Sequence, residues 1–291
     1  MRLYTANNMN KIQKEIQNLK NQFDLTQNET KKYYRIIQQR LEEEVSAVKK
    51  LNLLKGNIIL ECSTGQGKFT QKLIEDILKS EQSLYTIDSS PEMIKIIHSN
   101  IRRKNLHPQV ADLWKLPFKD NHFDALISHY TLHGLRSKDK NFLKPFKEIV
   151  RVLKPGAPFV AMTFYYAKGK NLPAYFYHRL IQLNYLDKKM NFFGLQKPEI
   201  YRELLKKAGL KQIKSKVINY DSIKFPEELR NKIWDVRLKE EKGLIQKIKS
   251  SKLRKTAQEV LKSFEDKPEL KNQKIGLTLL LWGKKWLYDV S

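Results

Sequence analysis

The sequence predicts an α/β fold built on a parallel sheet, and three observations carry that expectation. Between residues 57 and 166, short apolar runs (NIILEC, SLYTID, PQVAD, FDALIS, APFVAMTFYY) alternate with helical stretches (KFTQKLIEDILKS, PEMIKIIHSNIRRK, KNFLKPFKEIVRVLK). That alternation is the rhythm of βαβ units. The punctuation agrees: Pro91 stands at the start of one helix, and Lys154-Pro155-Gly156 closes another. Finally, the first apolar run leads through two glycines, Gly65 and Gly67, straight into a helix.

The flanking elements follow in order. Ile12, Ile16, Leu19 and Phe23 recur at helical spacing and predict a short amphipathic helix. A second helix is expected from about residues 28–30 to 50, with Tyr33, Ile36, Ile37, Leu41, Val45 and Val48 on one side. Beyond Tyr166, residues 165–193 hold eight aromatics among lysines. They read as a lid over an apolar substrate or as ordinary helix packing. A helix over 198–208 stopped by Gly209, a strand over 212–220, a basic helical stretch over 226–264 and a last strand over 275–282 complete the pattern. The expected division is an N-terminal helical segment (1–52), a cofactor-binding core (53–165), an aromatic lid with a helix and the sixth strand (166–225), a basic helical insertion (226–272) and a closing strand (273–291).

Composition excludes several classes. The one cysteine, Cys62, rules out a disulfide framework and a cysteine-built metal site. The longest apolar run near the C-terminus, Leu277 to Trp282, is far short of the ~20 residues that span a bilayer. The N-terminus lacks the apolar core of a secretory signal, so a cytoplasmic protein is expected. The formal charge of +25 splits into +8 over residues 1–150 (25 basic, 17 acidic) and +17 over 151–291 (31 basic, 14 acidic). Such a surplus attracts polyanions, RNA among them. Solvated lysines without a partner are the plainer alternative, because no run of five basic residues occurs.

The glycine loop, Glu61-Cys62-Ser63-Thr64-Gly65-Gln66-Gly67-Lys68-Phe69, marks the ligand site, since loops at the carboxyl ends of parallel strands are where open α/β sheets bind ligands. Phe69 stands where a phosphate loop needs Ser or Thr, and Thr70 where a dinucleotide fingerprint wants Gly or Ala. Glu61 would repel a pyrophosphate and attract a cation. Asp88 ends the next strand, 21 residues after Gly67, the usual place for an acid that binds ribose hydroxyls. Asp112, expected at the end of the third strand and followed by Leu113, suits the amino group and ring of an adenine. An amine, a ribose and an adenine together describe S-adenosyl-L-methionine.

Four segments, ILECSTGQGKF, YTIDSSPEMI, ADLWKLPFKDNHFDALIS and EIVRVLKPGAPFVAMTF, stand in the order and spacing of the class I S-adenosylmethionine-dependent methyltransferases. The chain resembles that family over about residues 53–164. Within it, the chain looks most like the broad group that includes the ubiquinone/menaquinone biosynthesis C-methyltransferases. The resemblance implies a Rossmann-like seven-stranded sheet, mostly parallel with the last strand antiparallel. It implies that Glu61, Gly65 and Gly67 line the methionine end of the cofactor and that Asp88 binds the ribose, with Ser63 and Ser89 also among the cofactor-binding residues. Met93, Asp112 and Leu113 would border the adenine, with Ser128 close by. Ser63 replaces a family glycine, so a positive φ there would cost about 1 kcal/mol.

Methyl transfer from a sulfonium needs alignment in a dry pocket more than it needs a base. Where the acceptor starts protonated, His129, Tyr130 and His133 after the fourth strand are the candidate catalytic groups; each also reads as packing. The Asn/Asp-Pro-Pro-Tyr/Phe segment of nucleobase amino methyltransferases is absent, the chain reading Ser128-His129-Tyr130-Thr131. No metal is implied. The sequence therefore predicts a methyltransferase acting on oxygen or carbon of a small, apolar or aromatic acceptor. An RNA methyltransferase using the basic C-terminal half and a non-catalytic binding protein of the same fold stand as alternatives.

Overall fold

The computed structural model describes residues 6–167, 172–220, 222–265 and 278–286. Two helices come first: α1 (Ala6–Phe23) and α2 (Gln27–Leu51). Helix α2 starts where it does because Thr26 and Glu29 form a reciprocal capping box, and it stops at Asn52 in the left-handed conformation. The alternating segment then folds as β1 (Ile58–Cys62), α3 (Lys68–Asp76), β2 (Ser83–Asp88), α4 (Pro91–Asn100), β3 (Leu106–Val110), β4 (Ala125–His129), a short pairing strand β5 (Arg136–Ser137), α5 (Leu143–Val152) and β6 (Pro158–Phe164). Ser90 caps α4 with Pro91 in its first turn. The remainder is α6 (Leu172–Asp187), β7 (Asn191–Phe192), α7 (Pro198–Lys207), β8 (Leu210–Ile218), α8 (Glu227–Gln246), α9 (Ser251–Glu265) and β9 (Thr278–Lys285).

The described strands form a seven-stranded sheet in the order β3-β2-β1-β4-β6-β9-β8. β9 runs antiparallel to both of its neighbours and the other pairings are parallel. The expected mixed Rossmann-like sheet is thus present. Chain order reverses between β1 and β4, and that switch point opens a crevice at the carboxyl ends of the central strands.

Side-chain alternation along each strand sends the core to both faces. Leu60, Cys62 and Leu126 pack with Phe146 and Ile149 of α5 on one side. Ile59, Ile127 and Val160 pack with Val45 and Val48 of α2 and Leu73 of α3 on the other.

Some boundaries differ from expectation for local reasons. β3 ends at Val110, so Asp112 lies in the turn beyond it; Ala111 N–H still donates to Asp88 C=O (3.0 Å). The basic helical stretch is two helices, broken where the Asp187 carboxylate accepts from Lys249 N–H (2.9 Å) and Ser250 N–H (2.8 Å). The aromatic stretch contains α6, whose Leu180 and Leu183 join Ile245, Ile248, Ala257 and Leu261 of and around α8 and α9 in a satellite core. Residues 275–277 of the expected last strand, along with Lys168 and Lys170 of the aromatic segment, lie outside the described residues.

Candidate active site

The glycine loop takes its shape from three left-handed residues: Ser63 (φ 58°), Gly65 (φ 53°) and Gly67 (φ 79°). Gly67 suits its place: its φ is one that L side chains rarely adopt, and a Cβ there would sit 2.3 Å from Ile97 Cδ1 of α4, forcing that side chain to shift. Gly65 faces open space, and its N–H donates to Asp88 Oδ2 (2.9 Å). The other Asp88 oxygen accepts from Ser90 N–H (3.0 Å). Asp88 therefore ties the loop after β1 to the loop after β2, and each of its oxygens keeps a lone pair for a ligand.

A cleft of about 540 Å³ opens above these loops, within the size range of small-molecule sites. Of the residues expected at the cofactor, Ser63, Asp88, Ser89, Asp112 and Leu113 line it. Asp112 keeps its place through Trp114 N–H, which donates to Oδ1 (3.0 Å). Gly65, Gly67, Met93 and Ser128 are not in the lining. Ser128 is fully buried in β4, and its Oγ has no partner among the described residues.

Glu61 lies beneath the loop. It is wholly buried, Oε2 accepts from Thr64 Oγ1 (3.4 Å), and Oε1 has no partner among the described residues. Burial pushes its pKa up to about 7, and the nearby Asp88 charge adds to the rise. An orphaned carboxylate under a glycine loop is a poor neighbour for phosphate and a good one for a cation. Lys68, the one lysine of the loop, is already paired with Glu15 of α1 (3.3 Å). These donors and acceptors fit a cationic nucleoside.

The three expected catalytic groups separate. Tyr130 lines the cleft; His129 and His133 do not. His129 Nε2 sits 2.9 Å from Glu44 Oε2, and its ring stacks on Phe69 (4.2 Å, 5°). His133 is buried, with Nδ1 3.0 Å from Thr163 Oγ1. Burial first, then the neighbouring His178 and His129, depress its pKa to about 3, which keeps it neutral. Tyr130 holds a left-handed backbone (φ 54°), and its hydroxyl is shared by Glu44, Arg40 and Thr278 Oγ1 (2.6 Å). Burial and the Glu44 charge raise its pKa well above the usual phenol value, so it stays protonated. Cys62 is buried and its thiol pKa is pushed up, so it offers no nucleophile.

Glu44 and Arg40 of α2 are the centre of a network that sequence reasoning passed over. Glu44 also accepts from Tyr220 O–H (2.6 Å) and from Arg40 Nε (3.1 Å). Burial alone would raise the Glu44 pKa. The hydrogen bond and charge of His129, with Arg40 behind them, outweigh it and hold the pKa at about 2. The Arg40 guanidinium lies 4.8 Å from the Tyr220 ring and 5.2 Å from that of Phe164. The sequence did carry a signal: Glu44 and Arg40 fall on the same helical stripe as Leu41, Val45 and Val48, where a charge needs a partner.

Comparison with known proteins adds the decisive observation. Residues 60–161 match the family model described as "Methyltransferase domain". This segment is a class I S-adenosylmethionine-dependent methyltransferase domain. The chain is similar to a 2-phytyl-1,4-naphtoquinone methyltransferase of Nostoc punctiforme, 26% identical over 191 residues, which cover 64% of this chain and 80% of that protein. It is 29% identical over 113 residues to a ubiquinone/menaquinone biosynthesis C-methyltransferase of Pseudomonas paraeruginosa, across 38% of this chain and under half (42%) of the relative. The solved cyclase SpnF shares the fold at 17% identity, with a TM-score of 0.53 over 84% of this chain and 80% of that one. That likeness concerns architecture alone, because one fold serves many reactions. Membership of the methyltransferase domain implies S-adenosyl-L-methionine as cofactor, in agreement with the acids of the cleft. Among the described residues no group of three or more His, Cys, Asp or Glu is placed to hold a metal ion, and no helix is long and apolar enough to cross a membrane.

Proposed function

We propose that the chain transfers a methyl group from S-adenosyl-L-methionine to oxygen or carbon of a small acceptor with an aromatic or apolar body. The observation that carries this is the make-up of the cleft. Two acids, Asp88 and Asp112, line it together with the apolar side chains of Leu113, Trp114, Leu135 and Met190. When bound, the cofactor supplies a methyl group on a positively charged sulfur. The chain's own part is to hold and exclude. Asp88 would orient the sugar, Asp112 and Leu113 the base, and Tyr130, fixed by Glu44, Arg40 and Thr278, would form a rigid wall against water. The relatives named for quinone methylation support an aromatic ring as acceptor.

Incubating the chain with methyl-labelled cofactor and fractionated cell extract tests the acceptor class. Label is expected in the organic-soluble, small-molecule pool. Label confined to RNA would shift the reading to the basic C-terminal half, and no transfer to any fraction would favour a binding protein of the same fold.

The cofactor assignment has a sharper test. Asp88→Ala is expected to weaken S-adenosyl-L-methionine binding by about 1–3 kcal/mol, the cost of losing a charged hydrogen-bond acceptor that also braces the glycine loop. Calorimetric titration measures it, and an unchanged affinity would remove Asp88 from the ribose role.

A further inference from the structure

We infer that the acceptor carries a fixed negative charge, a carboxylate or a phosphate ester, which Arg136 and Lys138 hold at the side of the cleft away from the acids. The inference rests on the methyl-transfer reading above and narrows its substrate class.

The cleft is electrostatically divided. Asp88 ends β2 and Asp112 lies in the turn after β3; Arg136 and Lys138 come from the segment after β4. Both cations are exposed at the cleft, and among the described residues neither side chain is engaged by a carboxylate. The nearby acids Asp139 and Asp187 bond to neighbours other than these two cations, Asp139 through Oδ1 and Asp187 through both oxygens. Asp139 accepts from Ser137 O–H (2.5 Å) and Asn141 N–H (2.9 Å), and Asp187 accepts from Lys249 and Ser250 N–H.

Arg136 is also held in position, unlike an ordinary surface arginine. Its guanidinium lies 4.8 Å from the centre of the Tyr185 ring, and that ring stacks on Phe192 at 5.6 Å and 16°. Phe192 is the β7 residue paired with Arg136 of β5, so backbone pairing and ring stack fix the same point. Lys188 Nζ approaches the Tyr185 ring as well (5.7 Å), adding positive potential at this edge. A planar, pre-positioned guanidinium beside a lysine is suited to carboxylate or phosphate oxygens. With the acids occupied by a cationic nucleoside, an anion held on the opposite wall would point its body across the apolar surface of Trp114, Leu135 and Met190 toward the methyl group. The anionic group is a handle, and the methyl acceptor is another atom of the same molecule.

Calorimetry on the full chain saturated with S-adenosyl-L-homocysteine tests this with three probes: benzoate, phenyl phosphate and the neutral benzamide. Each anion is expected to bind at least about tenfold tighter than benzamide at low salt, the scale of one charge-assisted hydrogen-bonded pair. Phenyl phosphate exceeding benzoate would identify phosphate as the preferred handle, and the reverse would identify carboxylate. In the double variant R136Q/K138Q the preference is expected to fall to about threefold or less, with cofactor-product affinity unchanged. Three results would overturn the inference: equal binding of anions and benzamide, a preference that survives in the double variant, or loss of cofactor-product affinity in it. The last would assign the two cations to the cofactor's own carboxylate. Failure of the unaltered chain to bind S-adenosyl-L-homocysteine would be separate, because it would sink the cofactor reading first.

Discussion

Glu44→Ala is expected to cost about 3–5 kcal/mol of folding stability, the range for breaking a buried, hydrogen-bonded ion pair from one side. Removing this carboxylate leaves the partly buried Arg40 without its acid beside Tyr130, Tyr220 and Thr278, each of which loses its shared acceptor or a neighbour to it. The same change frees His129 Nε2 and loosens the wall Tyr130 gives to the cleft. Thermal or denaturant unfolding measures the loss. A Glu44→Ala protein as stable as the parent would mean that the network is not load-sharing.

The group's pKa sets a pH dependence as well. Held at about 2 against an ordinary 4.5, Glu44 contributes stability that is fully present above pH 4.5 and lost as pH falls toward 2. That difference corresponds to about 3 kcal/mol. The acid limb of the stability curve should therefore be shallower in Glu44→Ala.

Glu61 behaves in the opposite sense. Its pKa is raised, to about 7, because burial strips its solvent and leaves Oε1 unpartnered. A raised carboxyl stabilises the fold relative to the ionised form below pH 4.5, and that advantage drains away as pH rises to 7. Glu61→Gln, which never ionises, should therefore stabilise the ligand-free chain at and above neutral pH, by up to about 3 kcal/mol. The same variant should bind S-adenosyl-L-methionine at least about tenfold more weakly, having lost the buried negative charge beneath the glycine loop. A rise in melting temperature coupled to a loss of affinity marks a functional residue that strains its own fold. If Glu61→Gln destabilised the chain and left affinity intact, the carboxylate would be structural.

These two glutamates also show where the sequence was legible. The strands and helices of the core could be read because apolar runs, Pro91 and Gly156 obey local rules, and local rules leave local marks. Ser63 was legible too: a glycine position held by serine predicts strain, and its φ of 58° shows it. The third strand stops short of Asp112 because its last pairing joins Asp88 to Val110, a register no periodicity reveals.

The Glu44 network was harder to see, since its members come from residues 40, 44, 129, 130, 220 and 278 and meet only after β9 inserts between β6 and β8. Its one local mark was a charge on an apolar helical stripe. Arg136 and Lys138 gave still less, because an exposed cation in a lysine-rich chain has no signature until the cleft is closed around it.

The central claim is that acids at the ends of neighbouring strands, gathered around a glycine bend, recognise a cationic sulfur nucleoside. The most direct measurement is a crystal structure of the chain grown with S-adenosyl-L-homocysteine at neutral pH. The account predicts the nucleoside in the cleft, with its sugar hydroxyls on Asp88 and its base beside Leu113. A cleft left empty at saturating ligand, or a nucleotide phosphate seated on the Gly65–Gly67 backbone, would contradict it.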